Sequence, residues 1–447
     1  MLAEAGPLAW CTCSGELEMN WKIYPISDRQ PGVSRIIKRV GNLFFDMNTK
    51  KELSLFELPE NTRVSLEDDF RKKMFETLLH KFGSFSKTSK ELGLNKGEDA
   101  RRYLIGRSGI PLKALVEISQ TTKIPETEIQ LHVSALKTLK SKKKIAMPNL
   151  PIKLLTKEFG LVIGGVMGDG SIEKTRKRVS YFSAEPNQIE SFKQAVLKTF
   201  GKVEFAYHRS MGGTPCVLFP KIIGEILCQI GLEEGNKNYK HNLGIPKLFM
   251  KNPKSEAMIS LIRRLFDDDG TVAHHHCNRG IEFIAPTIFR ENEKVIEPRI
   301  LIDLKKIFMG FGIRTHIRNY SQLKKPNSET THCWKLVING KENLQIFYDK
   351  IGFGLTRKQA IVKEVLEMYV EGLEFYPRFH AEENYLTAIK EMAEKNIKVT
   401  ANSLSQRCKR NTRHIREVLL ELTKRNLVKR ELVKNRYFYK TIVAGGA

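Results

Sequence analysis

No apolar run in this 447-residue chain approaches the roughly 20 residues that a membrane span requires. The N-terminus lacks the basic-then-apolar pattern of a secretory signal. Seven cysteines, an odd number scattered over a long chain, make no disulfide framework, and Cys11 and Cys13 have no second pair at zinc-ligand spacing. These absences predict a cytoplasmic protein. Acidic residues are also in short supply: 50 of them face 75 Lys and Arg, a net charge of +25. A surplus of that size draws polyanions, so nucleic acid is the expected partner and nucleoid association the expected location. What remains is sufficient for packed cores, because 41% of the residues are hydrophobic and the length suits about two to four domains.

Residues 1–60 carry no chemistry-bearing pattern, although 21–26 and 42–45 read as short strands. From 61 to 150 the period becomes helical, with Met74, Phe75, Leu78 and Leu79 forming one stripe. Phe82, Gly83, Ser84 and Phe85 break it, a short helix is predicted over 86–93, and Arg101, Arg102 and Tyr103 fall on a third. Short helices, a glycine turn and basic residues on the third helix suit a helix-turn-helix, although any small helical bundle shows the same pattern. The lysine-rich run 137–144 reads as a basic linker into Met147, Pro148 and Pro151.

Residues 151–372 contain an internal repeat, with boundaries at 151–252 and 253–372. An apolar helix runs into Gly168, Asp169, Gly170 and Ser171 in the first copy, and into Asp268, Asp269, Gly270 and Thr271 in the second. Phe182 then answers Phe283, Gly201 answers Gly312, Cys216 answers Cys333, and Gly231 answers Gly352. A lysine follows six positions beyond each of the last two, at Lys237 and Lys358. Each copy reads as αββαββα. From 380 to 441 two helices, the second carrying Arg413 and Arg416, precede a basic hairpin, which predicts a winged-helix-like module or, alternatively, a dimerisation unit. The fold class expected is α+β, a duplicated central module flanked by helical ones.

The paired helix-Asp-Gly segments resemble the signature of the LAGLIDADG homing endonucleases, in their single-chain form with two motifs. Asp169 and Asp269 lie 100 positions apart, each heading a similar pattern, and the resemblance covers about half of the chain, residues 152–370. It implies two modules related by a pseudo-two-fold axis, with the apolar helices packed together and the strands forming a saddle over the DNA major groove. Gly164, Gly165 and Gly168 would let the helix backbones approach. Both aspartates would then meet at the helix ends, where neighbouring carboxylates repel and so make good Mg²⁺ ligands. The implied metal set is Asp169 and Asp269, with Gly168 and Asp268 beside them and Mn²⁺ as a substitute ion. Asp267 and Asp268 equally suit helix capping. Either Asp-Gly alone reads as a helix-terminating turn.

The resemblance further implies a basic residue near the phosphate, for which Lys237, Lys358 and Lys240 (close to Ile245 and Pro246) are the candidates. Arg176, Lys177, Arg178, His208 and Arg209 suit phosphate or base contacts, and solvated strand ends show the same pattern. The run His274, His275, His276 and Cys277 reads as a DNA-facing loop, with Arg279 beyond it, rather than a zinc site. Two departures stand out: Arg264 occupies a position that is usually Gly in the family, and Gly165 one that is usually Leu. A guanidinium at a tight helix interface needs solvent or a carboxylate. Thr77 and His80 have the spacing of a splicing block but lie in a helical stripe. The chain begins with Met1 and ends in Gly445, Gly446 and Ala447, so a free-standing or intron-encoded enzyme is expected, acting as a monomer on double-stranded DNA. Rival expectations are a non-catalytic DNA-binding regulator and an RNA maturase that binds intron RNA.

Overall fold

The computed structural model describes residues 50–441 apart from 95, 140, 211, 276–277, 327, 370–380, 409, 411 and 434–435. Helices alternate with several small antiparallel sheets, a mixed α+β arrangement. In the N-terminal part, β1 (Thr62–Leu66) leads into α1 (Asp68–Phe82), α2 (Phe85–Glu91), α3 (Asp99–Leu104), β2 (Ile110–Pro111), α4 (Leu112–Thr122), β3 (Val133–Thr138) and β4 (Ile145–Pro148). Met74, Phe75 and Leu78 bury the predicted stripe of α1. The helix stops at Gly83, whose φ of 79° is open to glycine at no Cβ cost and whose N–H donates to the Leu79 carbonyl. Ser84 then caps α2 by accepting from the Lys87 N–H.

This part is not purely helical, which corrects the expectation. It carries a five-stranded antiparallel sheet in the order β2-β1-β3-β4-β7, where β7 (Gly201–Val203) comes from much later in the chain. The lysine-rich run is no linker either. Lys137 lies in β3, and residues 139–144 connect it to its antiparallel neighbour β4. The alternation of buried Thr62, Val64 and Leu66 was the legible sign of a half-buried strand.

Two segments with like strand order follow. The first is α5 (Lys157–Met167), β5 (Gly170–Ile172), β6 (Val179–Phe182), α6 (Pro186–Phe200), β7, β8 (Ala206–Arg209), β9 (Pro215–Leu218) and α7 (Lys221–Gln229). The second is α8 (Glu256–Asp269), β10 (Gly270–His275), β11 (Asn278–Phe289), α9 (Arg299–Gly310), β12 (Thr315–Lys324), β13 (Thr330–Asn339), α10 (Lys341–Lys350) and α11 (Thr356–Glu367). Their sheets run β8-β9-β6-β5 and β10-β11-β13-β12, so each places its own four strands in the order 1-2-4-3. The ladders shift the expected correspondence. Gly170 pairs with Tyr181 and Gly270 with Phe283, so Tyr181, not Phe182, stands opposite the Asp-Gly turn in the manner of Phe283. By the same register Cys216 answers Lys335 rather than Cys333.

One apolar core runs continuously from Leu53 to Leu366 and includes the fully buried Phe159, Phe192, Phe266 and Phe308. Each such side chain contributes on the order of 2–3 kcal/mol by leaving water. Beyond it α12 (Ala381–Glu394), α13 (Ala401–Arg407), α14 (Thr412–Lys424), β14 (Val428–Val433) and β15 (Arg436–Thr441) enclose a separate core around Tyr385, Ile389, Leu404, Ile415 and Leu419. No helix among the described residues is long and apolar enough to cross a membrane.

Candidate functional site

Helices α5 and α8 begin alike. Thr156 accepts from the Phe159 N–H at 3.2 Å, and Ser255 from the Met258 N–H at 3.1 Å. They then pack backbone to backbone. A Cβ on Gly160 would collide with the Ala257 carbonyl oxygen, and one on Gly164 would lie 2.5 Å from the Leu261 oxygen and 2.9 Å from Arg264 Cβ. Gly165 faces the other way and makes room for the Phe192 ring, which stacks on Tyr181 at 4.4 Å. The glycines therefore bring the C-terminal ends of the two helices together, and with them Asp169 and Asp269.

Neither of those two carboxylates accepts a hydrogen bond from any described residue, so their lone pairs are open. Asp169 is exposed and Asp269 half-buried. Surrounding protein strips water from both and raises both above the ordinary carboxylate range, with Asp269 reaching about 6. The charge of Asp169 pushes Asp269 further up, while Lys237 and Lys358 pull it down.

Lys237 and Lys358 occupy matched places. Lys237 donates to the carbonyls of Val166 (3.4 Å), Met167 (2.8 Å) and Gly168, the last turn of α5. Lys358, on α11, donates to those of Phe266 (3.0 Å) and Asp267 (2.6 Å) in the last turn of α8 and to that of Gly270 (2.5 Å) just beyond it. An ammonium has three hydrogens, and each lysine commits all three to main chain. Both therefore cap helix C-termini, where positive charge meets the negative end of the dipole. Burial lowers the pKa of each ammonium, and the nearby aspartates work against that. Lys240 lies apart, ion-paired with Glu233 at 2.6 Å.

The two remaining acids of α8 are engaged. Asp267 accepts from the N–H groups of Gly354 (2.9 Å) and Leu355 (3.0 Å), holding the start of α11, the helix that carries Lys358. Asp268 is sealed, and burial, opposed by Arg264, pushes its pKa up to about 7. Its Oδ2 accepts from the Asp169 N–H at 3.2 Å, and its Oδ1 lies 2.9 Å from the Tyr181 hydroxyl and 3.3 Å from Arg264 Nε. The Gly168 carbonyl is likewise taken by Lys237. These contacts engage both oxygens of Asp268 and one of the two lone pairs of the Gly168 carbonyl. Arg264, 3% exposed, thus finds the carboxylate that its position demands.

The expected DNA-contact residues scatter more widely. Arg176 is exposed and Arg178 half-buried; both pair with Glu173, at 3.9 and 2.9 Å, and Lys177 pairs with Glu234 at 2.9 Å. His208 and Arg209 are exposed on β8. Arg178 and His208 line a cavity of about 460 Å³ with Ser171, Ser180, Phe182 and Lys237. His274 is exposed but lies within β10 rather than on a loop, and His276 falls outside the described residues. Arg279 is tied down, donating to the Met368 carbonyl at 3.0 Å with its guanidinium over Tyr369. Arg413 and Arg416 are exposed on α14, Arg413 beside Glu417. A further basic strip, not among the expected contacts, lies on the second sheet, where Lys335 bonds Glu282 and Arg318 stands 3.8 Å from that carboxylate. Its sign was the alternation of polar Arg314, His316, Arg318 and Tyr320.

No family model matches the chain. Over 208 residues it is 26% identical to the Replication factor C small subunit of Methanocaldococcus jannaschii, covering 46% of this chain and 10% of that protein. Over 346 residues it is 24% identical to reverse gyrase of the same organism, covering 77% of this chain and 18% of that protein. The chain thus spans less than a fifth of the length of these curated relatives. Among solved structures it is similar to I-DmoI in complex with DNA and Ca, with a TM-score of 0.30 and 12% identity, covering 47% of this chain and 100% of that one. Full-length DUF199/WhiA from Thermatoga maritima is similar at TM-score 0.30 and 12% identity, covering 60% and 91%.

Proposed function

We propose that the chain is a site-specific DNA endonuclease that hydrolyses both strands of a long duplex target, using Asp169 for one strand and Asp269 for the other. The observation that carries this reading is the pair of unbonded carboxylates at the joined ends of α5 and α8. A carboxylate placed only to terminate a helix would be expected to satisfy its own lone pairs on nearby N–H groups, as Asp267 does.

The donor set suits Mg²⁺ (or Mn²⁺). No cluster of three or more His, Cys, Asp and Glu that could hold a metal exists among the described residues. Mg²⁺ is a hard ion that retains several waters and takes one or two carboxylates plus substrate phosphate oxygens, which two open aspartates match. When bound, such an ion supplies activation of water and charge neutralisation at the scissile phosphate. The protein's own part is to hold Asp169 and Asp269 at fixed separation through the glycine contact. Lys237 and Lys358 pin the helix ends and keep positive charge near a site that gathers anionic groups. Their ammonium hydrogens are already committed, so they act on the phosphate through charge rather than by direct donation.

The two sheets would form the floor of a pseudo-two-fold saddle on the duplex, with Arg178, His208, Arg318 and Lys335 facing the groove. The helix–hairpin unit at 381–441 would add affinity as a winged-helix-like module through Arg413 and Arg416. Asp169→Asn and Asp269→Asn are the direct test. Each is expected to abolish cutting of one strand and convert the enzyme to a nicking form, with DNA affinity retained in a gel-shift assay. Wild-type rates on both strands in either variant would refute the assignment, and tight binding by a wild-type protein that never cuts would make the chain a regulator.

A further inference from the structure

The buried polar groups between the two segments are arranged asymmetrically. Arg264 and Asp268 stand on α8, whereas the matched positions on α5 are Gly164 and Gly168. The Arg264 guanidinium passes over the edge of α5 into the first segment. It lies over the Tyr181 ring with its carbon 4.6 Å from the centroid, donates to the Tyr181 hydroxyl, and approaches the Gln188 carbonyl at 3.4 Å. The Tyr181 hydroxyl in turn lies between Gln188 Oε1 at 2.8 Å and Asp268 Oδ1 at 2.9 Å, with one proton to give. Asp268 completes the loop: its side chain is fully buried, and its second oxygen takes the N–H of Asp169. Gly168 leaves the space for it, since a Cβ there would lie 2.5 Å from Asp268 Oδ2.

Burying an ion pair of this kind is seldom the most stable solution, because apolar side chains of similar volume often do as well or better. What the pair does that apolar side chains cannot is accept a hydrogen bond from one chosen main-chain N–H. We infer that Arg264 and Asp268 are positioning residues that fix the backbone at Asp169 from the opposite segment, making the half-site of Asp169 dependent on α8 in a way that the half-site of Asp269 is not on α5. This rests on the endonuclease reading for its consequence in cleavage, though not for the contact itself. Coupling is one-directional because the first segment has glycine at both matched positions. Asp268 on this account is no metal ligand; it orients the residue that is.

The test uses the full chain carrying Arg264→Met together with Asp268→Ala, which removes both charges and leaves neither unpaired, alongside the single Asp268→Asn. Hydrogen exchange of the segment 166–172, measured by mass spectrometry without metal or DNA, reads the contact directly. Exchange at the Asp169 amide is expected to quicken at least tenfold in the double variant, with the apolar part of α8 unchanged. Single-turnover cutting of a duplex labelled on each strand reads the consequence. The strand whose cutting is lost in Asp169→Asn is expected to slow by tenfold or more, and the strand lost in Asp269→Asn to slow far less. Unchanged exchange at Asp169, or equal slowing of both strands, overturns the inference. If the wild-type protein cuts no duplex the endonuclease reading falls, and the exchange measurement alone decides whether Asp268 holds Asp169.

Discussion

Gly160→Ala and Gly310→Ala are the same chemical change, and the structure gives them opposite signs. At Gly160 the new methyl would collide with the Ala257 carbonyl oxygen on α8, a main-chain atom that cannot rotate away. A relaxed contact needs about 3.5 Å, so α5 and α8 must part by about 1.5 Å. Overpacking of this severity costs about 3 kcal/mol. Replacing a mid-helix glycine returns about 1 kcal/mol, which leaves a net loss of about 2 kcal/mol. At Gly310, the last residue of α9, nothing lies within 4 Å of an added Cβ and φ is not positive. That substitution is expected to stabilise by about 0.5 kcal/mol, by restricting the unfolded chain. A gap of about 2.5 kcal/mol corresponds to roughly 5–10 °C between the two melting temperatures. Thermal unfolding followed by circular dichroism measures it. Parting the helices also moves Asp169 from Asp269, and a 1 Å displacement costs about 100-fold in rate, so cleavage by Gly160→Ala should fall while Gly310→Ala cuts normally. If the two variants melt together, the backbone contact that the whole site rests on is wrong.

Lys358→Met would leave the Phe266, Asp267 and Gly270 carbonyls without their donor, and with charged hydrogen bonds worth about 1.5–3 kcal/mol each the loss in denaturant stability should reach about 3 kcal/mol; little change would mean that water replaces the ammonium. Because Asp269 sits at about 6 without metal, Mg²⁺ binding, and with it cutting at sub-saturating Mg²⁺, should weaken as pH drops through about 6. The linkage runs the other way for the metal-free fold. A carboxyl raised on folding contributes stability below its unfolded pKa near 3.9 and loses it as pH rises through about 6, so Asp269→Asn should flatten that part of the metal-free stability profile. In the C-terminal module, Arg413→Ala and Arg416→Ala should each reduce the slope of log affinity against log salt by about 1 if the side chain meets a phosphate, and leave it unchanged otherwise.

The features that depend on local pattern were legible in the sequence. The stripe of α1, its break at Gly83, the two helices running into Asp-Gly and the matched lysines all follow from spacing within a short window. Arg264 was legible as an anomaly, since a guanidinium at a glycine-lined contact needs a carboxylate, and Asp268 one turn further on was within sight. The rest of its setting was not, because Tyr181 and Gln188 lie more than 75 positions away and meet it only through packing. The sheet beneath the N-terminal helices was missed for a related reason. Strand β7 pairs with β4 across more than 50 residues, and the lysines at the β3–β4 turn resemble a solvated linker in composition. The one-residue slip between Tyr181 and Phe182 shows how aromatic neighbours on a strand disguise which face each occupies, a distinction that a ladder fixes and a motif does not.

On the proposed function, the open aspartates at the ends of α5 and α8 cut DNA at a chosen sequence. Incubating the full chain with a randomised duplex library, with Mg²⁺ and with EDTA, and sequencing the ends tests it most directly. Metal-dependent ends that share one long motif with a fixed stagger are expected, and they should disappear in the Asp169→Asn, Asp269→Asn double variant. Folded protein that retains selected duplexes yet leaves every one intact, or cuts equally well without the two aspartates, would contradict it.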